Sequence, residues 1–419
     1  KRVFVRLGSN QCLSTGIIMN KWKVSHISAG LTAVTVGYSS SVVIIIDVAR
    51  KAGASDDMVV SWLLALGLGM GITCILFSWL SKLPVVTAWS TPGAAFLLTS
   101  IGDYRLSEAI GAFVICALLS LVTAQSRSLL KQISRIPPAI SSALLAGILL
   151  PICLAIFSDV NEAPYLVALF IAAYLVGSRL FPRYLMLLLL VMSVGISVFM
   201  GSSHGVISLP GDASMFSPEM ASNFTLPAPI WVTPSFSFSA AIGLAFPLFL
   251  ITTLSQNLPG IAIHHAHGYT PDHKPILSGI AIVQALLAPF GGFTFNLAAI
   301  TAALCMGEQA DSEKSQRYRA AIAAGVAYLF MGLLASVVVA LFVSMPSIII
   351  HLLAGLALLA TLQSAVARAM EVEHHRAPAM LTMLCTASGF SLFSMTSAVW
   401  GLGLGLLLLY IQKTPEHRR

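Results

Sequence analysis

Two neighbouring amides, Gln256 and Asn257, interrupt an otherwise apolar run, Phe246-Pro-Leu-Phe-Leu-Ile-Thr-Thr-Leu-Ser-Gln-Asn-Leu-Pro-Gly-Ile261. A buried amide costs free energy unless it is hydrogen-bonded, so each needs a partner. That partner is either a neighbouring backbone, which makes the amide helix–helix glue, or a ligand. On a helix, Thr252, Gln256 and Gly260 share one face, with Thr253 and Asn257 beside it. Pro259 has no N–H, so the Ser255 carbonyl loses its helical donor. We take Gln256 and Asn257 as candidate site residues, with Thr252 as a secondary one. Of the two amides, Asn257 is the more open to the structural reading.

Two further stretches carry polar groups beside helix-breaking residues. The first is Leu83-Pro-Val-Val-Thr-Ala-Trp-Ser-Thr-Pro-Gly-Ala-Ala-Phe-Leu-Leu-Thr-Ser100. Its β-branched opening favours an extended backbone. Thr91 is placed to cap a helix that has Pro92 at its first position. That helix, running to Ile101, is about 15 Å long, half a bilayer. The second is Pro289-Phe-Gly-Gly-Phe-Thr-Phe-Asn-Leu-Ala-Ala-Ile-Thr-Ala-Ala-Leu304. Gly291 and Gly292 break the helix, Phe293 to Phe295 favour extension, and Asn296 can cap a helix of about 16 Å ending at Met306. Two half-helices starting near mid-membrane would turn N–H groups and positive dipole ends toward each other. Such a pair forms an anion site with no Arg in lipid. Trp89, Phe293 and Phe295 offer aromatic faces to a flat apolar body. Ser90, Thr91, Thr294 and Asn296 offer hydrogen bonds. The structural alternative is a pair of kinked helices packed by those aromatics.

These residues must be held by membrane-spanning elements. The 419-residue chain is 57% hydrophobic and 9% charged, against about 25% charged in a soluble domain. Fourteen apolar segments follow one another, at about 26–49, 57–79, 83–101, 107–125, 137–157, 163–178, 184–201, 239–264, 275–290, 293–306, 320–344, 347–367, 377–392 and 397–412. With the N-terminus in the cytoplasm, inside loops and termini hold 20 of the 23 basic residues, leaving Arg50, Lys51 and Arg105 outside. That asymmetry is what the positive-inside rule requires, and it places both termini inside. The fold expected is an all-α polytopic membrane protein. Residues 1–18 read as an extension, 19–201 as a first repeat, 202–238 as an extracytoplasmic loop, 239–412 as a second repeat and 413–419 as a cytoplasmic tail.

Seven segments in each half force the second half to enter the membrane in the opposite sense. The halves also echo one another. Pro138-Ala-Ile-Ser-Ser-Ala-Leu-Leu-Ala-Gly147 and Pro346-Ser-Ile-Ile-Ile-His-Leu-Leu-Ala-Gly355 each space Pro and Gly by nine, and each opens the fifth span of its half. Inverted repeats mark secondary transporters, with the substrate at the repeat interface. The broken spans are then segments 3 and 10, and the amides lie in segment 8. In segment 1 the matching polar interruption is Tyr38-Ser-Ser-Ser41, which makes Tyr38 and Ser39 secondary candidates.

Other chemistry is less supported. His264, His265 and His267, followed by Asp272 and His273, can bind a metal or carry protons; a solvated loop is the reading adopted. Asp47 is read as a local partner of Arg50. Six scattered cysteines show no metal or disulfide spacing. We expect no metal, no cofactor and no catalytic residue. The net charge of +7 lies in short loops without interleaved aromatics, so nucleic acid is not an expected partner. The expected partners are the lipid bilayer and a small anion.

The stretches "TAWSTPGAA" (87–95), "PLFLITTLSQNLPGI" (247–261), "PFGGFTFNLAAITAA" (289–303) and "LLAG" in segments 5 and 12 resemble the bacterial benzoate/proton symporter family. The similarity covers nearly everything from Met19 onward. The resemblance implies an inner-membrane protein with fourteen segments in two inverted repeats, a fold shared with nucleobase and sulfate transporters. It further implies a core domain moving against a gate domain, and uptake of benzoate or a close aromatic carboxylate with protons. In the nucleobase relatives an acidic residue stands near the place of Gln256, so their proton-coupling carboxylate does not carry over. The carboxylate is expected at the half-helix N-termini with Gln256 as donor, and the ring against Trp89 and Phe293 or Phe295. A homodimer is compatible with this architecture. The alternatives are a permease for another small anion or a nucleobase, and a passive anion channel.

Overall fold

The computed structural model describes residues 22–202, 226–343, 345–393 and 395–413. The expected extension 1–18, most of the 202–238 loop and the tail beyond Lys413 lie outside the described residues.

Almost everything described is helical. In chain order the helices are α1 (Val24–Ser39), α2 (Val42–Lys51), α3 (Asp56–Ser81), α4 (Thr91–Ser100), α5 (Leu106–Gln125), α6 (Arg127–Ile133), α7 (Pro138–Ser158), α8 (Pro164–Leu180) and α9 (Leu185–Ser202). After the loop come α10 (Phe238–Ala266), α11 (His273–Leu287), α12 (Ile300–Met306), α13 (Tyr318–Leu333), α14 (Ala335–Val343), α15 (Ser347–Met370), α16 (Arg376–Ala387) and α17 (Ser397–Lys413). Six of these are long and apolar enough to cross a bilayer, or up to eight if the bent pairs α1–α2 (42°) and α13–α14 (57°) each count as one span. Leu118, Val122, Leu154, Phe157, Val191, Phe330 and Leu407 are exposed large hydrophobics, the surface expected of a chain solvated by lipid rather than water.

The α1–α2 bend falls on the serine run. Ser40 Oγ donates to the Gly37 carbonyl at 3.0 Å, with longer contacts from Ser39 to Val36 and from Ser41 to Gly37. Hydroxyls that bond back to the preceding turn compete with the helical ladder.

Most of the helices sort into two packed groups. One comprises α1, α3, α5, α11, α12 and α13 with α10; the other comprises α7, α8, α9, α15, α16 and α17. In the first, α3 and α13 meet along small residues, where a Cβ on Gly67 would lie 2.6 Å from Gly332 Cα. Small residues of this kind let membrane helices approach closely. In the second, α7 and α15 run along each other. These are the two helices of the sequence echo: α7 opens at Pro138 and α15 is capped by Pro346.

The end of the long loop is docked. Val232 N–H donates to the Pro289 carbonyl at 2.8 Å, Ser235 N–H to the Ser107 carbonyl at 2.8 Å and Ile230 N–H to Ser61 Oγ at 2.8 Å. This ties the start of α10 to α3, α5 and the end of α11.

Candidate functional site

The two broken segments do more than unwind: they pair. Strand β1 (Thr87–Trp89) lies antiparallel to β2 (Phe295–Leu297), with Thr87 opposite Leu297, Ala88 opposite Asn296 and Trp89 opposite Phe295. Ser90 N–H to Thr294 O and Ala298 N–H to Val86 O, both 2.9 Å, extend the ladder at its ends. Non-helical backbone within a membrane domain must be satisfied by the protein itself. Here each extended piece satisfies the other.

The helix ends differ from the sequence expectation. Ser90, not Thr91, caps α4: its Oγ accepts from Gly93 N–H at 3.1 Å, which puts Thr91 and Pro92 at the first two helical positions. The shift follows from the strand, which holds the chain extended up to Ser90. Asn296 caps no helix. It sits in β2, and α12 starts four residues later at Ile300 with seven residues, about 10 Å at 1.5 Å per residue. The ladder absorbs residues that the sequence pattern assigns to the helix. The expected symmetric pair of half-helix N-termini therefore reduces to one regular half-helix, α4.

Around its N-terminus the hydroxyls cluster. Thr252 Oγ1 on α10 lies 3.2 Å from Ser90 Oγ and 3.2 Å from Thr294 Oγ1. All three residues are buried. On the other side, Ser41 Oγ is 2.9 Å from Thr91 Oγ1. The Tyr38 and Trp89 rings lie 4.9 Å apart, tilted by 45°, and the Tyr38 hydroxyl is buried without a partner. Ser39 is buried at the helix break.

In α10 the amides occupy a widened turn. Residues Thr253–Asn257 form a π turn in which Leu258 N–H reaches back to the Thr253 carbonyl. A second π turn, Ala241–Ala245, ends the same way, with Phe246 N–H on the Ala241 carbonyl. Each π turn closes one residue before a proline, Pro259 and Pro247. The wider turn accommodates a proline that cannot donate and would crowd the carbonyl four residues back, and such turns are frequent at functional sites.

The two amides separate in role. Asn257 Oδ1 accepts the Leu297 N–H of β2 at 3.1 Å. Gln256 is half-buried, and its Oε1 lies at a long 3.5 Å from Asn296 Nδ2. Asn296 is fully buried; its Nδ2 also donates to the Leu297 carbonyl at 2.9 Å, while its Oδ1 has no partner.

The aromatics divide as well. Phe293 is buried with its ring 6.2 Å from Phe113, which in turn meets Trp62. Phe295 packs on α3, so closely that a Cβ on Gly69 would lie 2.7 Å from its ring. Both hold packing positions, and the ring pair beside α4 is Tyr38 with Trp89.

Sequence reading missed a crevice behind α10. It is lined by Ser120 and Thr123 of α5, Thr253 and Asn257 of α10, Phe295, and Leu277, Ile280 and Gln284 of α11, with about 20 Å³ of room for water centres. That is space for about one ordered water. Gln284 is buried and its Nε2 has no partner. Its signal was available: a lone amide inside the apolar segment 275–290, the same irregularity that marked Gln256.

The histidine cluster also departs from expectation. His265 is exposed, as a solvated loop requires, but His264 is wholly buried. A second polar cluster ties the start of α1 to the loop after α12. The Asp311 carboxylate, shielded from solvent, receives Lys23 Nζ at 2.9 Å, His26 Nε2 at 2.7 Å and the Glu313 N–H at 2.8 Å. His26 Nδ1 accepts the Lys23 N–H at 3.1 Å, which leaves the ring proton on Nε2 facing Asp311. Burial opposes ionisation of Asp311. The hydrogen bonds from Lys23, Glu313 and His26 outweigh it and hold the carboxyl well below the usual carboxylate range.

Paired strands between two broken segments, a half-helix beside them and two groups of packed helices define a class: membrane transporters of the inverted-repeat fold. The transmembrane domain of a cyanobacterial bicarbonate transporter, BicA, superposes with a TM-score of 0.53 at 14% identity, covering 92% of this chain and 99% of that one. The chain belongs to the benzoate membrane transport protein family, whose sequence profile matches residues 20–411. It is 36% identical to the benzoate membrane transport protein of Acinetobacter baylyi over 94% of this chain and 97% of that protein. It is also 36% identical to the inner membrane protein YdcO of Escherichia coli K12, over 90% of this chain and 93% of that protein. The chain is thus a membrane transporter, not an enzyme.

Proposed function

We propose that the chain takes up benzoate or a close aromatic carboxylate together with protons, by alternating access of its two helix groups. The substrate carboxylate binds at the N-terminal end of α4, between Thr91 and Gln256, with the Ser90–Thr252–Thr294 hydroxyls behind it. The ring lies against Tyr38 and Trp89, while Phe293 and Phe295 hold the frame. Both termini lie in the cytoplasm, and the protein sits in a bacterial inner membrane.

The observation that supports this most is the contrast around Gln256. Ser90, Thr252, Thr294 and Asn296 are all buried, whereas Gln256 stays half-exposed with one long contact. An amide there donates to a carboxylate without like-charge repulsion. A helix N-terminus adds positive potential without a desolvated cation. Among the described residues the site holds no carboxylate of its own, so a proton travels elsewhere on the protein or on the substrate, whose carboxyl gains one more readily in an apolar setting.

The test is uptake of labelled benzoate against a panel of aromatic acids and nucleobases, with and without a protonophore. Competition by benzoate analogues and loss of accumulation with the protonophore are expected. Competition by nucleobases alone would overturn the substrate class. Accumulation that ignores the protonophore would overturn the coupling, and flux that only equilibrates would identify a passive channel.

A further inference from the structure

Two turns beyond Gln256 on α10, His264 is fully buried. Its Nδ1 lies 3.0 Å from the Gly260 carbonyl. A carbonyl can only accept, so Nδ1 carries the proton and Nε2 of the neutral ring keeps a lone pair. That Nε2 is buried with no partner. His273, the first residue of α11, meets it ring to ring with centroids 5.3 Å apart, and its own Nε2 is likewise buried and unpartnered. His265 and His267 on α10, and His265 with Asp272 next to His273, are the other titratable groups facing the pair. The Pro84 carbonyl, just ahead of β1, is the nearby acceptor.

A buried basic nitrogen left unpaired costs free energy. Among the described residues no group of three His, Cys, Asp or Glu side chains is placed to hold a metal ion. A proton relieves that cost. One proton turns one imidazole of the pair into an imidazolium, and a second is opposed by like charge a few ångströms away. The pair is connected to the site by contact. Gly260, whose carbonyl His264 holds, abuts β2 so closely that a Cβ would lie 2.6 Å from Leu297 Cβ. The Leu297 N–H is held by Asn257 and its carbonyl by Asn296, which reaches Gln256.

We infer that His264 and His273 form the proton-binding site of the transport cycle. One proton binds an Nε2 of the pair on one side of the membrane and leaves as a proton on the other, and its presence is felt at Gln256 through Gly260 and Leu297. The assignment rests on the proton-coupled reading above.

It is tested in proteoliposomes with wild type, His264→Gln and His273→Gln, in two assays. One is accumulation of labelled benzoate driven by a proton gradient. The other is counterflow, the exchange of labelled for unlabelled benzoate at equal pH, which needs folding and binding but no net proton movement. The variants are expected to keep counterflow and lose proton-driven accumulation. Accumulation at the wild-type level in both variants would overturn the assignment. So would loss of counterflow in both, which is the mark of a structural role. A wild type that shows counterflow but no proton-driven accumulation overturns the coupling reading and this assignment together.

Discussion

Asn257 on α10 accepts the backbone N–H of Leu297 on β2 at 3.1 Å, and this bond fixes the substrate-helix candidate to the strand ladder. Its neighbour Gln256 makes no comparable bond. The adjacent amides therefore predict opposite mutational signatures.

Asn257→Leu strands a buried N–H, which costs about 1–3 kcal/mol. Thermal unfolding in detergent should show a clear drop for this variant. An unchanged unfolding temperature would remove Asn257 from its structural role.

Gln256→Ala should leave the unfolding temperature near wild type and weaken benzoate binding. A hydrogen bond to a charged group is worth about 1.5–3 kcal/mol, or roughly 10- to 150-fold in affinity. Gln256→Glu should bind worse still, because it sets a carboxylate against a carboxylate. The measurement is the half-saturation of competition by unlabelled benzoate; unchanged values would take Gln256 out of the site.

Tyr38→Phe removes a buried hydroxyl that has no protein partner and keeps the ring against Trp89. Stability should hold or rise. If the hydroxyl serves the substrate, affinity falls with no change in unfolding temperature. Trp89→Ala should lower both, since it also deletes the ring contact, worth about 0.5–1.5 kcal/mol beyond its buried area.

The cluster joining α1 to the loop after α12 predicts a pH dependence of stability. Burial works against the Asp311 charge, but Lys23, Glu313 and His26 hold its carboxyl below the ordinary range. A depressed carboxyl contributes stability that is complete above the unfolded value of about 3.9 and is lost as pH falls through the folded value. Asp311→Asn should therefore unfold at a lower temperature than wild type by the same margin at pH 6 and pH 8. The gap should shrink near pH 4 and below. A gap that widened on acidification would contradict the assignment.

Much of this arrangement was legible from single residues. The amides at 256 and 257, the breaks at Pro92 and Gly291–Gly292 and the Tyr38–Ser41 interruption all violate the pattern of an apolar helix, and each proved to lie in the ladder or against it. What stayed hidden was long-range. The pairing of β1 with β2 joins residues some 200 positions apart, and nothing local distinguishes two paired strands from two separate kinks. That pairing moved both caps: it held the chain extended to Ser90 and drew Asn296 into a strand. Phe293 and Phe295 looked equivalent to Trp89 because an aromatic's packing partner is set by long-range packing and not by its own sequence neighbourhood. Gln284 and His264 were readable as polar residues in apolar segments, but their burial depends on how α11 packs against α5 and α10.

Proton-driven uptake of an aromatic carboxylate is the function proposed for this chain. Its most direct measurement is accumulation of labelled benzoate in proteoliposomes under an inward proton gradient, with empty liposomes subtracted because the neutral acid crosses lipid unaided. Protein-dependent accumulation above equilibrium is expected, abolished by a protonophore and strongly reduced in Gln256→Ala. Uptake by protein-containing vesicles indistinguishable from that of empty ones would contradict it.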